Sequence, residues 1–411
     1  MNTQGDASVD PLPPHLGYLG LFLRFLTFGA LAFGGPMAQI AMIRRELVDE
    51  EKWISSGQFN RLMAVMQALP GPEAHELCVH LGIRARGRVG GVLAGLGFML
   101  PGFLLMLALA WAYTRLPIVG TGVGALFLGV QAAVIALIIR AVHRIGEHIL
   151  VDRWLWITAI IAAAASLAGT SFWVVLPAAG LAYAFFSAGR NVAAIAVLTV
   201  AATLAVALQT LSQTGPANVN GSIVTSPALL ALFLAGLKGG LLTFGGAYTA
   251  IPFVRQDTVG RGWMTDAQFL DGLGLSGLIP APLVIFVTFV GFVIAGLPGA
   301  LVMTAGMFLP AFAFSLAFYE RLEALADHQR LQHFLQGVAA AVVGLIAVTI
   351  VDLTHAAAAA SVNLAISAAI VGTGLVLLYR VKHRLAPLAV VFMGAGAGAL
   401  LLRGAITLPI R

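Results

Sequence analysis

The chain has 411 residues, of which 60% are hydrophobic and only 10% are charged. A soluble domain carries about a quarter charged residues, so this composition excludes a soluble globular protein and indicates an integral membrane protein. The net charge of +6 requires no nucleic acid partner, because Lys and Arg in cytoplasmic loops facing anionic lipid account for it. The single cysteine, Cys78, excludes an internal disulfide and a multi-cysteine metal site, and we expect no cofactor.

Residues 1–15 contain several prolines but no basic segment followed by an apolar core, so they predict a short flexible tail rather than a cleaved signal peptide. Residues 17–33 are apolar apart from Arg24 and end at the motif Phe33-Gly34-Gly35-Pro36. Two glycines and a proline interrupt a membrane helix, and Pro36 suits the first turn of a new one. The charged cluster at 44–52 is interpreted as a helix end at the membrane interface.

A second interrupted pair follows, with helical patterns at 59–69 and 73–84 on either side of Pro70-Gly71-Pro72. Each arm is too short to span a bilayer, which predicts broken or re-entrant helices. Conventional spans are predicted at 89–111, 123–139, 155–168, 172–186 and 192–211. The uncharged segment 212–227 is the expected linker between two halves.

The second half repeats this order, with broken helices at 229–256 and 266–294 and spans at 299–318, 331–351, 358–378 and 385–402. Rare residue types recur in step. Phe33 and Phe244 lie 211 residues apart, Pro70 and Pro280 lie 210 apart, and Pro101 and Pro310 lie 209 apart. The sequence therefore predicts a duplication, with repeats at 16–211 and 228–411.

Loop charges orient the two repeats. Basic groups at 84–88, at 140–153 and at Arg190 share one side, because two predicted spans separate each from the next. By the positive-inside rule that side is cytoplasmic, as is the N-terminus, and the linker lies outside. Arg321, Arg330 and the basic group at 380–384 fit the same scheme. We therefore predict an all-α integral membrane protein, a polytopic helical bundle of two homologous inverted-topology repeats with broken or re-entrant helices.

Inverted repeats with interrupted helices place a solute near the midplane, where half-helix N-termini offer free N–H groups to an anion. Lys238 and Arg24 lie inside predicted first arms and are expected to balance the charge, although snorkelling to a headgroup is an equal reading for Arg24. The expected solute-binding residues are Gly34, Gly35, Pro36, Gln39, Gly71, Pro72, Gly245, Gly246, Tyr248 and Thr249, together with these two cations.

The segment after Pro72 carries a polar stripe on an otherwise apolar helix. At 100° per residue, Glu73, Glu76, His80 and Arg84 fall within an arc of about 80°. Carboxylates near a helix N-terminus also act as simple dipole partners, so capping and proton coupling by Glu73, Glu76 and His80 remain open alternatives. Asp271 is a further proton-coupling candidate.

Two enzymatic readings are disfavoured by the residue spacing. The segment His75-Glu76-Leu77-Cys78-Val79-His80 resembles a zinc helix, but its histidines are five residues apart where that motif needs four. A Walker-type phosphate loop is also absent from the sequence, so ATP is not expected as the direct energy source. The sequence therefore favours a transporter over an enzyme, with no metal site.

The motifs Phe33-Gly34-Gly35-Pro36, Gln67-Ala68-Leu69-Pro70-Gly71-Pro72 and Pro101-Gly102-Phe103, with their second-half partners, resemble the chromate ion transporter (CHR) family in its long two-domain form. The resemblance covers nearly the whole chain. The chain departs from the family pattern at Ala281, where a glycine is common, and at Gly277, which stands where the first repeat has Gln67.

This resemblance implies a secondary transporter of a bacterial inner membrane that exports chromate, a tetrahedral dianion, by coupling to protons or by anion exchange. A sulfate or other oxyanion exchanger is the alternative within transport. A receptor that binds an anion without moving it is the alternative from another class. A homodimer is possible.

Overall fold

In the computed structural model of the chain, the structure describes residues 16–68, 70–117, 121–214, 227–244, 246–318, 328–381, 383 and 385–402. These residues form a helical bundle and contain no β-strand. The helices of the first half are α1 (Tyr18–Ala30), α2 (Pro36–Arg44), α3 (Ser56–Ala68), α4 (Glu73–Tyr113), α5 (Gly122–Ile149), α6 (Arg153–Leu167), α7 (Phe172–Ser187) and α8 (Asn191–Thr214).

The second half repeats the order of the first. Its helices are α9 (Leu229–Leu241), α10 (Ile251–Thr258), α11 (Asp266–Ser276), α12 (Phe286–Phe318), α13 (Gln329–Ala360), α14 (Leu364–Arg380) and α15 (Ala386–Ala397). Short π-helical turns follow α2 at Arg45–Glu50 and α15 at Gly398–Leu402. Short 3₁₀-helical turns precede α10 at Ala247–Ala250 and α12 at Leu283–Ile285. Within the described residues, four helical segments are long and apolar enough to cross a membrane, namely Glu73–Tyr113, Gly122–Ile149, Leu283–Ala317 and Gln329–Ala360.

The first broken helix of each repeat folds back on itself. Arg24 on α1 forms ion pairs with Glu46 and Glu51, which follow the break, and Lys238 on α9 pairs with Asp257 on α10. A residue before each break can reach a partner after it only if the second arm returns toward the side from which the first arm came. The choice between crossing and re-entrant arms is therefore resolved in favour of re-entrant ones.

The second arm of the second broken pair folds back against the span that follows it, in both repeats. Within α4, Arg86 and Gly87 leave the helical conformation, and the chain reverses there so that Gly82 lies against Gly90. Within α12, Ala295 and Gly296 do the same, and the Thr288 and Thr304 hydroxyl groups are 2.7 Å apart. Each of these helices is thus a hairpin of a half-length arm and a full-length arm.

The two repeats enter the bundle from opposite ends. Arg86, at the turn of α4, donates a hydrogen bond to the Leu16 carbonyl oxygen, so this turn lies where α1 begins. Tyr113, at the far end of α4, donates to Asp271 on α11, so α11 enters from that far end. We call the end with Arg86 the basic end, because α5 also returns to it with Arg144. The inverted repeat is therefore present in the structure.

Each repeat completes the packing of the other. The long helix α5 packs against α14 and α15, and its repeat partner α13 packs against α6 and α7. Glycine allows both contacts: a Cβ at Gly129 would overlap the Gly394 carbonyl oxygen, and a Cβ at Gly337 would lie 2.6 Å from the Ala179 carbonyl oxygen. Close backbone approach through small residues is how helices associate in lipid.

We expect Gly129→Val to destabilise the bundle by about 3 kcal/mol or more, because its side chain cannot fit between α5 and α15. The matched control is Gly372→Val, since a Cβ at Gly372 would meet no atom within 4 Å. Fluorescence-detected size exclusion of the tagged proteins reports the folded fraction. Equal folded fractions for the two variants would contradict the interlocked arrangement.

Helix boundaries differ from the predicted ones by six residues or more at three places. Helix α5 continues to Ile149, ten residues past the predicted end, and α13 continues to Ala360, nine residues past it. Helix α14 begins at Leu364, six residues later than predicted. The predicted tail at 1–15, most of the linker, and the loop charges Arg321, Lys382 and Arg384 lie outside the described residues. The domain limits stay a prediction.

Candidate functional site

A cavity of about 1020 Å³ extends from the helix breaks to the basic end. Both repeats contribute to its inner wall. Gly34, Gly35 and Pro36 come from the first break, and Gly246 and Tyr248 come from the matching break of the second repeat. Glu73 and Leu283, just after the two proline-containing breaks, also line it. The cavity thus brings together residues from all four interruptions that the sequence predicts.

The start of α2 presents backbone donors to this cavity. Gly34 and Gly35 have φ angles of 96° and 81°, which favour glycine, and Pro36 then begins the helix. No side chain caps α2, and the N–H groups of Gly35 and Met37 donate to no acceptor among the described residues. An uncapped helix N-terminus beside an open cavity is suited to an anion.

The second-repeat break is held by its own hydrogen bonds. The Phe244 N–H donates to Thr249 Oγ1 at 3.1 Å, and that hydroxyl donates to the Gly246 carbonyl oxygen at 2.6 Å. The Gly71 N–H donates to the Thr243 carbonyl oxygen at 2.9 Å, which ties the two repeats together at their breaks. Thr249 and Gly71 are buried and do not line the cavity, and their hydrogen bonds hold the backbone of the second-repeat break in place.

The polar stripe of α4 leads from the cavity into the protein. Glu73 lines the cavity, whereas Glu76, one turn further along, is fully buried. Neither Glu76 carboxyl oxygen has a hydrogen-bond partner among the described residues. His75 is buried among aromatic rings, with the Phe312 ring centroid 4.7 Å away. A buried carboxyl without a hydrogen-bond donor is costly in its charged form. Proton coupling by this stripe stays a prediction.

The outer part of the cavity contains charges that the sequence analysis assigned to a loop. Arg140, Arg144 and His148 lie on the extended C-terminal part of α5 and line the cavity with Glu147. Arg144 forms no ion pair with any residue that the structure describes. The spacing of four residues between the three basic side chains places them on one helix face and could have indicated their shared role.

Lys238 and Arg24 do not line the cavity. Lys238 lies 4.3 Å above the Phe172 ring and pairs with Asp257, facing a different surface of the bundle. Arg24 pairs with Glu46 at 2.9 Å. Their positions give no support to a contact with a solute held at the breaks, because both cations already neutralise carboxylates on the returning arms.

Of the remaining predicted residues, Gln39, Pro72 and Asp271 are buried. Gln39 donates to the Ala32 carbonyl oxygen at 3.0 Å, and Asp271 accepts from Tyr113 and Gln131 at 2.8 and 2.9 Å. His80 and Pro72 do not line the cavity either. Gly245 lies outside the described residues. Apart from Arg24, Lys238 and Gly245, the predicted set divides into residues that line the cavity and residues that do not.

Comparison with known proteins gives the family. A family model described as "Chromate transporter" matches residues 19–186 and again 230–399. A chromate transport protein of Pseudomonas aeruginosa is 59% identical over 393 residues, covering 96% of this chain and 94% of the relative. Chromate transport proteins of Cupriavidus metallidurans and, described as probable, of Synechococcus elongatus are each 31% identical, covering 81% and 80% of this chain and 82% of each relative. No solved structure matches the chain. The chain belongs to the chromate transporter family, and it is a membrane transporter rather than an enzyme.

Proposed function

We propose that this protein exports chromate through the cavity, across a bacterial inner membrane, with the basic end and the N-terminus in the cytoplasm. The observation that carries the proposal is the meeting of Gly34–Pro36 and Gly246–Tyr248 in one cavity. Two half-helix starts related by the repeat would face a tetrahedral anion from two sides. Backbone N–H groups would then replace part of its hydration shell.

Arg140 and Arg144 would draw the anion into the cavity. Cationic side chains in a cleft with apolar walls raise the local concentration of an anion and its rate of association. Neither the backbone donors nor these cations distinguish chromate from sulfate by shape, because both anions are tetrahedral dianions. Sulfate therefore stays the alternative substrate. A second copy of the chain as partner stays possible.

In proton-coupled transport, the proton would bind first to Glu73 and then to Glu76. Among the described lining residues, Glu73 and Glu147 balance Arg140 and Arg144. Protonation of Glu73 would leave a net positive cavity, so the proton and the anion would favour each other's binding. Anion exchange is the other form of coupling. Proton coupling of this kind carries the proton and the anion in the same direction. Export would therefore be driven by the inside-negative potential, by about 2.3 kcal/mol per net charge per 100 mV, rather than by an inward proton gradient.

Flux measurements in proteoliposomes test this proposal. We expect the reconstituted protein to release trapped chromate in low-sulfate buffer, faster than empty vesicles and with a rate that responds to a pH gradient. Excess sulfate on the same side should compete. Transport of labelled sulfate without competition by chromate would instead establish the sulfate alternative. Ligand protection without flux would establish a receptor.

A further inference from the structure

A second concave surface lies on the side of the bundle, between α7 and α9 and beside the end of α10. Its volume is about 690 Å³, and we call it the lateral groove. Trp173, Leu234 and Leu241 form its apolar walls and are exposed, so they face the hydrocarbon of a membrane. It lies toward the end opposite the basic end, since α7 starts there. The lateral groove shares no lining residue with the cavity that extends from the helix breaks to the basic end.

The groove contains a cluster of charged side chains from α9, from α10 and from the residues just after α10. Lys238 and Asp257 form an ion pair, with side chains that are 12% and 9% exposed. Arg261 lies 3.3 Å from Asp257, yet its side chain is 54% exposed. Lys238, Asp257 and Arg261 are the charged residues among the described ones that line the groove. The two cations share the Asp257 carboxylate, so the cluster carries one net positive charge.

The first repeat provides an internal comparison. There, Arg24 pairs with Glu46 and Glu51, and Arg45 pairs with Glu46 and Glu50. Three carboxylates and two arginines leave one net negative charge. Glu46 corresponds to Asp257 in the repeat, and Glu51 occupies the position that corresponds to Arg261. An ion pair between the two arms is thus common to both repeats and explains Lys238 with Asp257. It does not explain Arg261, where the charge has the opposite sign.

We propose that the lateral groove binds one anionic phospholipid, with its phosphate at Arg261 and Lys238 and an acyl chain along Leu241, which lies deeper on α9. The net positive charge complements the single negative charge of such a lipid. The apolar walls open to the membrane rather than to water, which favours a lipid over a free anion.

Quenching of Trp173 by brominated phosphatidylglycerol tests this proposal. The full-length protein in neutral detergent is titrated with lipid, and the signal of Trp173 is the difference between the wild type and Trp173→Phe. We expect brominated phosphatidylglycerol to quench it at lower concentration than brominated phosphatidylcholine. Arg261→Gln should weaken binding of the anionic lipid about fivefold, which is about 1 kcal/mol for one cation.

Two further variants make the test specific. Asp257→Asn adds one net positive charge and should tighten binding. Arg45→Gln removes an exposed arginine from the first repeat and should leave binding unchanged. Equal quenching by the two lipids, or no change in Arg261→Gln, would overturn the proposal. Protection by millimolar sodium phosphate would also overturn it, because the groove would then be a site for a free anion.

Discussion

Gly35→Ala is expected to lower chromate flux per folded molecule at least tenfold. Gly35 has φ of 81° and ψ of 179°, a region that only glycine occupies freely and that costs about 1–3 kcal/mol for other residues. A Cβ there would meet no protein atom within 4 Å, so it would stand in the cavity beside the first N–H groups of α2. It would hold the anion away from the donors on which the proposed site depends.

Gly87→Ala separates this effect from backbone strain. Gly87 has φ of 64° and ψ of −165°, a similar glycine-only conformation, and a Cβ there would also meet no atom within 4 Å. It lies at the turn of α4 and does not line the cavity. Both variants should lose comparable stability in thermal unfolding. If Gly87→Ala lost as much flux per folded molecule as Gly35→Ala, strain alone would explain the loss.

The repeat and its breaks could be predicted because they depend on residue types with special backbone geometry. Gly35, Gly71 and Gly246 all have positive φ, and Pro36 begins a helix, so these positions carry a signal in the sequence itself. The same residues support the resemblance to the chromate transporter family, which the family model confirms. Apolar runs between them were long enough to locate nearly every helix.

Pairing between distant residues could not be predicted in the same way. Lys238 has an intramembrane position that suggested a solute contact, but its partner Asp257 comes close only because α10 folds back. Arg140 and Arg144 were assigned to a loop because charges usually end a membrane span. In the structure they extend α5 along a water-accessible cavity, where a charged helix face is stable.

The asymmetry between the two repeats indicates where proton coupling is expected. The first re-entrant arm of α4 carries Glu73, His75 and Glu76. The corresponding segment of the second repeat carries Leu283, Ile285 and Phe286 instead. Geometry is therefore shared between the repeats, whereas the first turn after the proline-containing break is ionisable only in the first of them. Proton coupling is accordingly expected at Glu73 before Asp271.

Glu73→Gln is expected to abolish acceleration of transport by a pH gradient, with a loss of at least tenfold, while exchange of chromate for chromate continues. An ionised Glu73 repels a dianion in the cavity, and glutamine imitates the neutral side chain at every pH. In the wild type, anion affinity should fall as the pH rises through the titration of Glu73, and in the variant it should stay flat. Affinity is measured with labelled sulfate, because sulfate stays a dianion at every pH of this titration.

Glu147→Gln is the control for Glu73→Gln. Glu147 lines the same cavity, but its side chain is 52% exposed and screened by water, so the substitution should change flux by less than about twofold. Transport by Glu73→Gln that still responds to a pH gradient would assign the coupling to another group, with Glu76 the next to be replaced.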